Sequence, residues 1–131
     1  MSLSRYLFAP MIVAASLIST AASATDIRPF DRAAFQAAQR QNRPIVVFVH
    51  APWCPVCKAQ EKTMEKVTAN KAYKDLIVFR IDYDTQKDLW KSFGATQQST
   101  LIGFHGRRET SRLAHDTDEA KVTAVLAKTL S

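Results

Sequence analysis

The 131 residues include two cysteines, three glycines, three histidines and three methionines, which leaves little material for several kinds of site. Without a second cysteine pair, the two thiols supply half of a tetrahedral zinc site, which weighs against a zinc ribbon. No methionine- or histidine-rich tract is present, which weighs against a dedicated metal carrier. No repeat, low-complexity stretch or second composition regime interrupts the chain, and residues 25–131 suit one compact domain with a single core. The formal charge is +6, but Lys and Arg are scattered among Asp and Glu and no nucleic-acid motif accompanies them. That pattern is a solvated surface, and no nucleic acid is expected as partner. No dimerisation segment is apparent, and a monomer is expected.

What is present begins with a leader. Arg5 gives a positive start, Tyr6 to Ile18 is largely apolar, and Ala22-Ser23-Ala24 is a small-residue cleavage pattern. Residues 1–24 therefore read as a secretory signal peptide, cleaved before Thr25. The competing reading is a retained anchor. Residues 6–24 are barely long enough to span a bilayer, and Pro10 with several Ser and Thr dilutes their apolarity. No stable membrane span is expected after cleavage, and the expected location is a bacterial periplasm.

Both cysteines lie in His50-Ala51-Pro52-Trp53-Cys54-Pro55-Val56-Cys57-Lys58, directly after the apolar run Ile45–Val49. The segment 58–69 reads as a helix, and thiols at i and i+3 at its start share one face, close enough to bridge. Unpaired backbone N–H groups and the helix dipole favour a thiolate at the first. A structural disulfide across so small a loop would constrain the unfolded chain little. The spacing is that of a dithiol redox centre.

The rest of the chain reads as its scaffold. Residues 25–29 form an extended entry, and Asp31 caps a helix over 32–41 with Ala34, Phe35 and Ala38 as its apolar stripe. Pro44 separates that helix from Ile45–Val49, a continuous run typical of a strand buried on both faces. In the cysteine helix Met64 and Val67 face the core, while Glu61, Lys62, Glu65 and Lys66 face water. A second strand covers 76–81 and a helix covers 85–93, stopping at Gly94. Strands over 99–104 and 107–113 form a hairpin through His105-Gly106. Asp116 and Glu119 are spaced as a capping box for a last helix that buries Val122, Val125 and Leu126. Strands split by helices imply a parallel core, and the late hairpin adds antiparallel strands.

Over essentially all of residues 26–131 the sequence resembles the thioredoxin-fold family. Phe48–Lys58 is similar to that family's strand–Trp-Cys-x-x-Cys-Lys–helix segment, and Val78-Phe79-Arg80-Ile81-Asp82 to its strand ending in Ile-Asp. Phe93-Gly94, followed by Ser99-Thr100-Leu101-Ile102, resembles its glycine and cis-proline segment. The resemblance implies a single α/β domain with a central mixed β-sheet flanked by helices. It implies a thiol–disulfide oxidoreductase with Cys54 as the exposed nucleophile, Cys57 as the buried resolving thiol, a redox disulfide Cys54–Cys57 and no cofactor. Trp53 would border the attack surface, and Pro55 with Val56 would tune the potential. Protein thiols and disulfides would be substrates, a separate redox partner would be needed, and reduction is favoured over oxidation.

Three departures mark this chain. Ser99 replaces the family's cis-proline. A cis bond before a non-proline residue costs about 3 kcal/mol, so the Gln98–Ser99 bond is expected trans, with the hydroxyl offered to Cys54. Phe48 stands where the family has a buried aspartate, and Val78 where it has that aspartate's lysine partner. Losing both avoids burying an unpaired charge and leaves a dry floor beneath Cys57 with no obvious local base. His50 stands where many relatives carry an aromatic ring; it reads equally as a histidinium favouring the Cys54 thiolate or as a packed neutral ring. Lys58 reads as a solvated helix residue, and His105 and His115 as surface residues. Two other classes stay open: a thiolate copper-handling protein using Cys54, Cys57 and His50, and a scaffold whose fold mainly binds a partner.

Overall fold

The computed structural model describes Ser16 and residues 25–131, so the proposed leader lies outside the described residues except for Ser16. Five strands form one mixed sheet: β1 (Asp26–Pro29), β2 (Pro44–His50), β3 (Ile77–Asp82), β4 (Thr100–His105) and β5 (Arg108–Ala114). Their spatial order is β1-β3-β2-β4-β5. β3 runs parallel to β1 and β2, whereas β4 is antiparallel to both β2 and β5. The extended entry is therefore a true edge strand, with Asp26 in register with Ile77. The mixed sheet with helices on both faces is as expected.

β2 is the centre, and its continuous apolar run follows from burial on both faces. Ile45, Val47 and Val49 point to one side; Val46 and Phe48 point to the other. The first side is covered by α1 (Arg32–Arg40) and α3 (Lys87–Ser92), the second by α2 (Pro55–Thr68) and α4 (Glu119–Lys128). Asp31 caps α1 by accepting from the Ala34 N–H at 2.7 Å. Under α1 and α3, Phe35 meets Phe79, Phe93 and Phe104 edge-on, with ring centroids 5.5 to 5.7 Å apart. Each such ring withdraws apolar area worth roughly 1.5–3 kcal/mol, and the edge-to-face geometry adds to it.

α4 crosses β4 closely because position 103 is glycine. A Cβ there would lie 2.9 Å from Thr110 Oγ1 and 3.1 Å from Thr129 Cγ2. The helix is capped by Asp118, which accepts from the Lys121 N–H at 2.9 Å, and not by Asp116. Asp116 instead folds the approach: its carboxylate accepts from the Asp118 N–H and pairs with Lys121 Nζ. The expected capping box is thus displaced by two residues, since an acidic pair around Thr117 offers two alternative caps. The hairpin turns at Gly106, whose φ of 57° suits a residue without a Cβ.

Candidate active site

The cysteine helix begins at Pro55, where proline at the first helical position forfeits an N–H that had no partner there. Cys54 is consequently the N-cap, with an extended backbone (φ −89°, ψ 111°). Its sulfur takes the place usually held by a Ser or Asp oxygen and accepts from the Cys57 N–H at 3.1 Å. Cys57 lies one turn on, so both sulfurs face the sheet side of α2, and both are free thiols.

Capping turns Cys54 inward. Its relative exposure is 1% and that of Cys57 is 0%, so the expected exposed nucleophile is buried in this arrangement. Trp53 is exposed at 56%, held by an indole N–H donated to Asp84 Oδ2 at 2.9 Å. Its ring meets Tyr83 edge-on, and Tyr83 stacks on Trp90. Pro55 is exposed beside it, as is Lys58.

Ser99 completes the site. Its hydroxyl lies 3.0 Å from Cys54 Sγ and 3.1 Å from Cys57 Sγ, and the residue is fully buried. The hydroxyl expected for Cys54 is therefore shared with Cys57. No peptide bond among the described residues is cis, in line with the expected trans Gln98–Ser99 bond. Ser99 instead adopts a left-handed φ of 60°. Its N–H donates to Val49 O at 2.8 Å, and its carbonyl accepts from the His115 N–H at 2.9 Å and from Gln60 Nε2 at 3.0 Å.

The two sulfurs are driven apart electrostatically. Burial raises the Cys54 thiol, but hydrogen bonds from the Cys57 side chain, the Ser99 hydroxyl and the Cys57 and Val56 amides outweigh it and hold Cys54 below its ordinary value. Cys57 is pushed up, first by burial and then by Cys54, with Ser99 and the Ala51 backbone opposing. Beneath them Phe48 and Val78 pack in the same cluster as both cysteines, each fully buried, which gives the dry floor.

His50 takes no part in the hydrogen bonding of either sulfur. Burial first, then the Arg80 charge, lowers its pKa, so its ring is neutral at pH 7, packed edge-on to Phe48 with Nε2 3.8 Å from Glu61 Oε2. Glu61 is half-buried and ion-paired with Arg80, so the expectation that it faces water is overturned. Its position explains this: Glu61 is one turn beyond Cys57 and inherits the sheet-facing side of α2. The same periodicity could have flagged Gln60, which is fully buried and donates from Nε2 to the carbonyls of both Ser99 and Asp116. His115 is exposed as expected, whereas His105 is half-buried with Nδ1 2.8 Å from Thr129 O.

Among the described residues no group of three or more His, Cys, Asp or Glu converges as a metal site, and no helix is long and apolar enough to cross a membrane. The geometry is that of two thiols of unequal acidity sharing one hydroxyl, able to pass between dithiol and disulfide.

A family model described as thioredoxin-like matches residues 27–103. The crystal structure of Trxlp from Edwardsiella tarda superposes with a TM-score of 0.73 at 39% identity, covering 77% of this chain and 98% of that one. Thioredoxin from Mycobacterium bovis is 31% identical over 90 residues, which is 69% of this chain and 73% of that protein. A protein disulfide-isomerase from Aspergillus niger is 26% identical over 103 residues, or 76% of this chain, which spans only 20% of the isomerase's length.

Proposed function

The chain belongs to the thioredoxin-like family, and from that premise we propose that it is a thiol–disulfide oxidoreductase working through Cys54 and Cys57. One observation carries the reading: two free thiols lie one turn apart at the start of α2, with Cys54 capping the helix and its Sγ accepting from the Cys57 N–H at 3.1 Å. An exchange centre needs an attacking thiol and a neighbour that can displace it. Cys54, as thiolate, attacks a substrate disulfide and forms a mixed disulfide, releasing one substrate thiolate. Cys57 then attacks Cys54 Sγ, the Cys54–substrate bond breaks, and the electron pair leaves on the second substrate sulfur. The substrate is reduced by two electrons and the pair is oxidised by two. Because Cys54 is buried in this arrangement, its sulfur must become accessible to substrate before it can attack.

The proposal extends to place and direction. The leader pattern in residues 1–24 supports export to a periplasm, where a separate partner must restore the dithiol. Reduction is the direction proposed; the lowered Cys54 supports its role as the attacking thiol, while stabilising the dithiol state by itself works against reducing power. A monomer is proposed on the same footing. Cys57→Ser should trap substrates on Cys54 as mixed disulfides that dithiothreitol releases. Equilibration in glutathione or dithiothreitol buffers reads the direction: a potential near about −270 mV marks a reductant, and one near about −120 mV a disulfide donor. No reversible two-electron transition would overturn the reading.

A further inference from the structure

We propose that the Ser99 hydroxyl is a catalytic donor that serves the two sulfurs in turn, stabilising Cys54 before the mixed disulfide forms and Cys57 after it. This rests on the reading of the pair as an exchange centre. A serine hydroxyl has one proton and two lone pairs, so it can donate to one sulfur while accepting from the other. At 3.0 Å from Cys54 Sγ and 3.1 Å from Cys57 Sγ, the Ser99 oxygen is equally placed for both, and a rotation about its Cβ–Oγ bond exchanges them.

The residue is held for this. A left-handed φ is uncommon for a side-chain-bearing residue and persists where surroundings over-determine it. Here the N–H is tied to Val49 on β2, and the carbonyl to His115 beyond β5 and to Gln60 on α2. Gln60 lies one turn beyond Cys57, so the helix that carries the thiols also fixes the hydroxyl's backbone. Apart from the Cys57 thiol itself, which also hydrogen-bonds Cys54, no other described side chain of the surrounding elements offers either sulfur a hydrogen-bonding proton. Phe48 and Val78 form the floor, Lys58 is exposed, and His50, Glu61 and Arg80 on the same sheet face engage one another.

In the dithiol, the Cys57 S–H donates to Ser99 Oγ and the Ser99 O–H donates to the Cys54 thiolate. When Cys54 Sγ bonds to one sulfur of a substrate disulfide, that S–S bond breaks, the other sulfur leaves as a thiolate carrying the charge Cys54 has lost, and the hydroxyl turns its proton to Cys57. Cys57 releases its own proton to water and attacks. The Cys57–Cys54 bond forms, the Cys54–substrate bond breaks, and the departing substrate thiolate takes up a proton from water. Atoms, charge and electrons balance, and Ser99 ends with the proton it began with.

Ser99→Ala and Ser99→Gly, made in the otherwise intact chain, separate the hydroxyl from the backbone. Both remove the donor, while glycine relieves the left-handed φ and alanine keeps it. Two quantities are read: thiolate absorbance against pH, and the lifetime of the mixed disulfide with oxidised glutathione by rapid acid quench. In both variants the first titration midpoint should rise by about one pH unit, a tenfold change, and the mixed disulfide should last about tenfold longer. Unchanged values in both variants overturn the proposal. So does a raised midpoint with an unchanged lifetime, which leaves a donor to Cys54 alone. An effect in alanine but not in glycine also overturns it, because it traces the change to the loop. If Ser99→Ala fails to fold, Ser99→Gly carries the test. Failure of the exchange reading itself is visible earlier, as wild-type protein that forms no glutathione adduct.

Discussion

The two faces of the sheet are equally buried and differently made. Beneath α1 and α3 the packing is phenylalanine on phenylalanine, from Phe30, Phe35, Phe79, Phe93 and Phe104, with no side chain that can exchange a proton or an electron pair at its centre. Beneath α2 and α4 the core is interrupted by Cys54, Cys57, Ser99 and Gln60, with the Glu61–Arg80 pair at its margin. Buried polar groups cost free energy unless they are paired, so the second face is the less stable way to fill the same space. Gln60 Oε1 and Arg80 Nε are buried there without hydrogen-bond partners. The contrast shows a division of labour: one face supplies the stability that the other spends on reactivity.

That division can be broken by a pair of substitutions with opposite consequences. Phe79→Ala should cost about 3–5 kcal/mol in chemical denaturation while leaving the reduction potential unmoved. Cys54→Ser should abolish exchange yet change stability by no more than about 1 kcal/mol, since serine is a good N-cap at the same place. A large potential change in the first, or a large stability loss in the second, would mean that the faces are not independent. Gln60→Leu sharpens the comparison, because its two donated hydrogen bonds hold the Ser99 and Asp116 carbonyls. It should lower stability by about 1–2 kcal/mol and slow exchange several-fold, and denaturation with single-turnover kinetics would read both.

The smallest expected effect is a pH dependence at the margin of the reactive face. His50 titrates below its ordinary 6.5 because burial disfavours the cation, with Arg80 adding to the shift. The unfolded chain then binds more protons than the folded one in mild acid, so this contribution is fully present above pH 6.5 and is lost as pH falls beneath it. His50→Gln should flatten that acid slope in melting temperature. An unchanged slope would return the titration to other groups.

Much of this arrangement is legible in the residues themselves. Ile45–Val49 announces the central strand and Trp53-Cys54-Pro55-Val56-Cys57 the exchange centre, because apolar runs and local spacing survive folding as position and face. The dry floor of Phe48 and Val78 comes instead from the resemblance to the thioredoxin fold, whose buried charged pair they replace. What is not legible depends on where a side chain turns. Cys54 looks exposed from its place before a helix, but capping directs its sulfur inward. Glu61 looks solvated by its charge until Arg80, nineteen residues away, is brought beside it. Gln60 looks like an ordinary helical residue, and its role depends on two carbonyls beyond position 98. The short strand 26–29 is too brief to carry a period and gains its identity only from β3.

The outer margins of the sheet have a further consequence. β1 ends in Pro29, which has no N–H to offer a neighbouring strand, and it carries Asp26 and Arg28; β5 exposes Arg108, Glu109 and Arg112. An incoming extended peptide would have to desolvate those charges before gaining a backbone hydrogen bond. A reductase of the kind proposed would free extended segments in the chains whose disulfides it opens. Its own borders resist being extended by them, so encounters are steered away from templated aggregation and left to the end of the molecule where Trp53 marks the thiols.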